Sequence, residues 1–213
     1  MLKDQGYNSI SLQNLYQYSL GQFTLPKKPI IFTYDDGYDD VFKNAVPILD
    51  KYGFKGSFAI ITQYPGTVLG DNTYASWNTI VNAYSDGQEI VSHTQDHFDG
   101  SNLKYSNDFI TKNLNGSIED IKNHLGFTTN ILIYPYGHYT ADYIKIAKSL
   151  GFVMGVTVHH GDQINLNNLM ETPRIRVHGD EDLKLFQDII EHKAAKPSVT
   201  PQSILSMIKH NKS

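Results

Sequence analysis

"IIFTYDDGYDD" occupies residues 30–40: an apolar, β-branched run that stops at two adjacent carboxylates, Asp35 and Asp36, with Gly37 behind them. Near-continuous apolarity through "PIIFTY" (29–34) predicts a strand covered on both faces, as in a parallel sheet. Two neighbouring carboxylates at a strand tip repel each other, and a simple turn does not require the pair. A chemical reason for the doublet needs partners elsewhere in the chain.

Five further runs have the same character: "GSFAIIT" (56–62), "QEIVSHT" (88–94), "TNILIYPYG" (129–137), "FVMGVTV" (152–158) and "PRIRVHG" (173–179). Helical patterns lie between several of them. Residues 39–52 predict a helix capped by Asp39 or Asp40, with Val41, Ala45, Ile48 and Leu49 on one face and a kink at Pro47. Ser76 predicts the cap of a short helix stopped by Gly87. Ser106 opens a longer one towards Leu125 that Gly116 is expected to weaken, and Thr140 opens another through Leu150. "YGF" (52–54) and "LGF" (125–127 and 150–152) repeat one junction, a glycine ending a helix before an apolar residue enters a strand. Strand–helix alternation of this kind predicts a parallel α/β architecture. Residues 159–171 read as a polar loop, the tail from Lys193 as a linker, and "ILSMIKH" as a last short helix.

The 213-residue length fits one domain with one sizeable core. A net charge of −4 and the absence of any Lys/Arg run argue against nucleic acid as a partner. No apolar stretch reaches the ~20 residues of a membrane span, and "MLKDQGYNSI" does not have the pattern of a signal peptide. Cysteine is absent, so any metal must be held by His, Asp or Glu.

Chemistry in α/β barrels collects at the C-terminal tips of strands. Asp35 and Asp36 stand at the first expected tip, His93 and His97 at the third, "YPYG" (134–137) at the fourth and His178 at the sixth. Each alone has a plain explanation: Asp-Asp-Gly is a common turn, and a His pair is often just solvated. Together, a His-x-x-x-His pair and a carboxylate supply three ligands and leave positions open on a divalent metal. One aspartate can then bind the metal while the other takes a proton from water.

Thr33-Tyr34-Asp35-Asp36-Gly37 and His93-Thr94-Gln95-Asp96-His97 resemble the first two motifs of the polysaccharide deacetylases, carbohydrate esterase family four. Ile133-Tyr134-Pro135-Tyr136-Gly137 is similar to the third in part, in a form like that of poly-N-acetylglucosamine deacetylases. "LKDQGYNSISLQNL" and "GFKGSFAII" look like the family's connecting segments, and the likeness runs over roughly residues 5–190. The resemblance implies a distorted (β/α) barrel of about seven strands, the first expected upstream of Met1, with the deacetylase domain over residues 1–192 and a tail over 193–213. It implies Asp35 as general base and Asp36, His93 and His97 as ligands of a divalent metal, zinc first, with cobalt, nickel or manganese as alternatives. Metal-activated water would attack an acetyl carbonyl, the Tyr136 backbone N–H would meet the oxyanion, and Thr94 would brace the loop. The substrate implied is an acetylated polysaccharide, an N-acetylglucosamine polymer at or outside the cell surface.

Two departures from the family pattern stand out. The third motif's arginine is replaced by Ile133, and Arg174 or Arg176 in "TPRIRVHG" is expected to stand in, Arg174 being preferred. His178 matches the expected position of the general acid, although the sequence after it does not follow the family. Tyr38, Tyr64, Tyr74, Tyr134 and Tyr139 are candidates for stacking on sugar rings. The rival readings are an O-acetyl esterase on acetylated xylan, a non-catalytic glycan-binding module and, more remotely, a two-His-one-carboxylate iron oxygenase.

Overall fold

The computed structural model describes residues 1–179 and 181–191. The expected linker, last helix and domain boundary at 192 lie outside the described residues. In chain order the elements are β1 (Asn8–Ser9), α1 (Leu12–Ser19), β2 (Pro29–Ile30), β3 (Thr33–Tyr34), α2 (Asp39–Tyr52) and β4 (Ser57–Ile60). Then come β5 (Val68–Leu69), β6 (Asn72–Thr73), α3 (Trp77–Ser85), β7 (Glu89–Ser92), α4 (Asn107–Leu125) and β8 (Ile131–Ile133). The last are α5 (Ala141–Ser149), β9 (Met154–His160), β10 (Thr172–Arg174) and α6 (Leu183–Ile190).

Six strands form one parallel sheet in the order β10-β9-β8-β7-β4-β3. Taken in chain order, each of these six lies beside the next, so the crossovers all run the same way and the sheet curls into a half-barrel. Strand β1, which the sequence does not announce, pairs in parallel with β2. The Ile30 carbonyl accepts from Ile10 and the Phe32 carbonyl from Ser57. β1 and β2 form a two-stranded pair of their own, and the Ser9 hydroxyl accepts from the Lys55 amide at 2.7 Å, which sets the pair beside the start of β4.

Side-chain alternation divides the core. On β8, Ile131 and Ile133 turn inward with Ala59, Val91, Met154 and Val156, closed off by Leu12 and Leu15 of α1. Leu132 and Tyr134 turn outward against Leu114 and Ile118 of α4 and Tyr143 and Ala147 of α5. On β4, Phe58 and Ile60 meet Phe42 and Leu49 of α2 and Ile80 and Ala83 of α3. The start of α1 is fixed by a capping box at Ser11 and by the half-buried Glu89 carboxylate, which accepts from the Leu12 and Gln13 amides at 2.9 and 2.8 Å.

Several local expectations change. Helix α2 is capped by Tyr38 without a side-chain bond, so Asp39 and Asp40 lie in its first turn, where negative charge favours the helix dipole. The buried stripe of α2 is Phe42 and Leu49, and Ile48 is 58% exposed. The helix runs through Pro47, and α4 runs through Gly116 without a break. Strand β9 continues to His160, shortening the expected polar loop. The three Gly-Phe junctions stand, with Gly53, Gly126 and Gly151 at φ 66°, 77° and 95°.

A side chain at Gly155 on β9 would collide with the buried Tyr134 hydroxyl, which donates to the Met170 carbonyl at 3.0 Å. Gly155→Ala should therefore lower stability by about 1–3 kcal/mol, read as a lower urea midpoint with an unchanged slope.

Candidate active site

Residues 35 and 36 would point to opposite faces of a regular strand. Past Tyr34, however, Asp36 takes φ 71°, and the Gly37 amide donates back to the Asp35 carbonyl at 2.9 Å. This left-handed step brings both carboxylates to the mouth of the half-barrel with different partners.

Asp36 faces the histidines. Its Oδ1 lies 3.3 Å from His93 Nε2 and 3.2 Å from His97 Nε2. His93 is buried at 2% exposure, with Nδ1 2.7 Å from the Ile133 carbonyl. A carbonyl only accepts, so Nδ1 carries a proton and Nε2, the nitrogen turned to Asp36, is the one free to ligate a cation. One ligand atom from each of Asp36, His93 and His97 lies within 4.8 Å of the others. Lone pairs converging in this way repel unless a cation sits among them. The donor set therefore fits a divalent metal with two imidazoles and one carboxylate. Burial works against the Asp36 charge, but the two imidazoles that face it outweigh burial and hold its carboxyl far below the ordinary range.

Asp35 faces Arg174. The guanidinium grips it two-fold, Nη1 to Oδ1 at 2.8 Å and Nη2 to Oδ2 at 2.5 Å. Nη1 also donates to Thr33 Oγ1 at 3.0 Å, and Nε donates to the Thr157 carbonyl at 2.9 Å. The planar fork thus ties β10 and β9 to β3 across the open side of the sheet. Burial would raise the Asp35 carboxyl, but the Arg174 bonds and the nearby positive charge outweigh it and lower it.

The loops that carry these groups are strained. Among the described residues the non-glycine positions with positive φ are Lys28, Asp36, Thr94, His97 and Tyr136, four of them at this site. Each such position costs about 1–3 kcal/mol and persists because its surroundings fix it. Thr94 accepts from the His97 amide at 3.0 Å, bracing the second-motif loop. Tyr136, at φ 58°, is 57% exposed and rests its ring on His97, the centroids 4.7 Å apart. That ring forms a wall of the site which the sequence, read for the Tyr136 backbone, does not announce.

Other expected residues fall elsewhere. Strand β10 ends at Arg174, so the strand expected to reach His178 stops four positions short of it. His178 is exposed, and among the described residues no hydrogen bond or ion pair joins its ring to the cluster. Arg176 is likewise exposed. Ile133 is buried in the barrel interior, so that position serves the site through its carbonyl. Tyr74, Tyr134 and Tyr139 are buried packing residues, while Tyr38 and Tyr64 are half-buried against Tyr74. No described helix is long and apolar enough to cross a membrane.

The family model described as polysaccharide deacetylase matches residues 23–155, more than half of the chain. The chain belongs to this family. It is 29% identical over 180 residues to YxkH of Bacillus subtilis (strain 168), covering 83% of this chain and 61% of that one. It is 28% identical over 174 residues to a poly-β-1,6-N-acetyl-D-glucosamine N-deacetylase of Staphylococcus aureus (strain MRSA252), covering 78% and 59%. The chain thus spans about three fifths of the length of these two relatives. Among solved structures it is similar to Streptococcus pyogenes deacetylase PplD in complex with acetate, with TM-score 0.76 and 25% identity over 96% of this chain and 81% of that one.

The Arg174–Asp35 pair generates a pH-dependent prediction. The folded Asp35 carboxyl lies below its ordinary 3.8, so the pair stabilises the fold fully above that value and ceases to as pH falls through the lowered one. Arg174→Met should lower stability by about 2 kcal/mol at neutral pH in urea unfolding, and the gap to the wild type should close in acid.

Proposed function

We propose that this chain is a metal-dependent hydrolase that removes acetyl groups from a polymer of N-acetylglucosamine. The observation that carries the reading is the division of labour in the carboxylate pair. Asp36 joins His93 and His97 in a three-ligand cluster, while its neighbour Asp35 is held apart by Arg174. Membership of the deacetylase family supports the reaction, and the name of the Staphylococcus aureus relative supports the polymer. A substrate of that class puts the reaction at or outside the cell surface.

Asp36, His93 and His97 would hold the ion, for which this ligand set favours zinc. When bound, a divalent ion supplies Lewis-acid polarisation of the acetyl carbonyl and lowers the pKa of water. Asp35, kept ionised by Arg174, takes the proton of the attacking water. The Tyr136 N–H, aimed by its left-handed backbone, donates to the oxyanion that forms on the acetyl oxygen. The carbon–nitrogen bond then breaks as the proton held by Asp35 passes to the departing nitrogen, giving acetate and a free amine.

The serine and threonine hydroxyls beside His93 are not available as nucleophiles. Ser92 Oγ bonds Ser117 Oγ at 2.8 Å and accepts from the Thr94 amide, and Thr94 is fully buried and accepts from His97. Attack by water, without a covalent intermediate, fits that arrangement.

The test is acetate release from N-acetylglucosamine oligomers by chelator-treated protein, with and without added zinc or cobalt. Metal should restore release. Asp35→Asn should lower it by about 100-fold or more while still binding metal, whereas His93→Ala and His97→Ala should lose the metal. Release from acetylated xylan alone would replace this reading with an ester hydrolase, and binding without turnover in any metal would leave a glycan-binding module. His178→Ala should leave the rate close to wild type, because the residue is exposed beyond the end of β10. A fall of about 100-fold would reinstate it as the general acid.

A further inference from the structure

The loop that carries His93 and His97 is held from behind by one stripe of α4, and that stripe has no part in the chemistry described above. Asn113, Gly116, Ser117 and Asp120 follow one another at helical spacing on the face turned to the loop. Asn113, 6% exposed, accepts from the Gln95 amide at 2.8 Å. Ser117 bonds Ser92, which accepts from the Thr94 amide. Asp120 Oδ2 accepts from Thr62 Oγ1 at 2.6 Å and from Gln95 Nε2 at 3.0 Å. On the opposite side, the Thr62 and Gln63 amides donate to the Thr94 and Gln95 carbonyls at 3.1 and 3.0 Å. The loop backbone between the two histidines is therefore clamped between the end of β4 and the side chains of α4.

Gly116 makes room for this clamp. A Cβ there would lie 2.5 Å from Gln95 Oε1 and 2.6 Å from its Nε2. The far end of a glutamine could ordinarily swing away, but this one is tied to Asp120. A glycine in the middle of a 19-residue helix is otherwise unfavourable relative to alanine. Its presence here matches the need for Gln95 to lie flat on the helix.

We propose that Asn113, Gly116 and Asp120 are positioning residues for the metal: they hold the left-handed backbone at Thr94 and His97 so that His97 Nε2 stays level with His93 Nε2 beside Asp36. The proposal rests on the metal reading above and assigns the precision of that site to a helix that contributes no ligand. Asp120 and Asn113 act through the Gln95 backbone and side chain, and Gly116 by leaving them space. Groups that hydrogen-bond the ligands directly typically change metal affinity by about 10–100-fold, and a clamp on the loop between two ligands should reach the lower end of that range.

The experiment titrates cobalt(II) into chelator-treated wild type, Asn113→Ala, Gly116→Ala and Asp120→Ala, reading the dissociation constant and the visible absorption bands of the bound ion. Thermal melting of the metal-free proteins is recorded beside it. The positioning role predicts cobalt affinity weaker by about 10-fold or more and altered bands in all three. The metal-free Gly116→Ala should melt close to wild type, because alanine's preference for the helix offsets the displaced Gln95–Asp120 contact. That combination separates a positioning role from general destabilisation, which would lower the melting temperature first. Cobalt binding within twofold of wild type with unchanged bands in Gly116→Ala and either other variant would overturn the proposal. A wild type that takes up no cobalt would bring down the metal reading itself, and the clamp with it.

Discussion

One guanidinium spans the gap between the two edge strands of the curled sheet. β3 and β10 lie at opposite ends of the strand order, and Arg174 on β10 reaches Thr33 and Asp35 on the other side. An open half-barrel has nothing in its hydrogen-bond ladder to fix the distance between its edges. A two-fold Arg–carboxylate grip supplies that distance and an orientation at once. It also holds Asp35 at a set place beside the cluster and keeps its charge. The same contact that closes the fold therefore prepares the group assigned to accept a proton.

The second constraint is the backbone of the loops that carry Asp36, His93 and His97. Asp36, Thr94, His97 and Tyr136 all adopt conformations that non-glycine residues avoid. These positions would relax if their surroundings allowed it, and the surroundings do not: Ile133 holds His93, Thr94 holds the His97 amide, and α4 holds Gln95. Stability built up in the core, where strands bury one face against α2 to α5 and the other in the barrel interior capped by α1, thus keeps the Asp36, His93 and His97 side chains converged.

The doublet and the His pair were legible in the sequence because their chemistry depends on residue types a few positions apart. The six sheet strands were legible because burial on both faces leaves long β-branched runs. Strand β1 was not: two polar residues, Asn8 and Ser9, carry no such signal and pair only because the chain between them and β2 folds back. Arg174, Arg176 and His178 share one face of an extended segment, so the sequence offered all three to the site. Where the strand ends is settled by tertiary contact, and it ends at Arg174. The α4 stripe was hidden for a similar reason, since a glycine within a helix looks like a weakness until Gln95 is seen lying against it.

The measurement that tests this account most directly is a double-mutant cycle in urea at neutral pH, using Asp35→Asn, Arg174→Met and the two together. If one guanidinium both closes the sheet and positions the base, the two losses should be strongly non-additive, with a coupling of about 2 kcal/mol. Additive losses would mean that the edges are held elsewhere, and that Asp35 does not depend on Arg174 for its place.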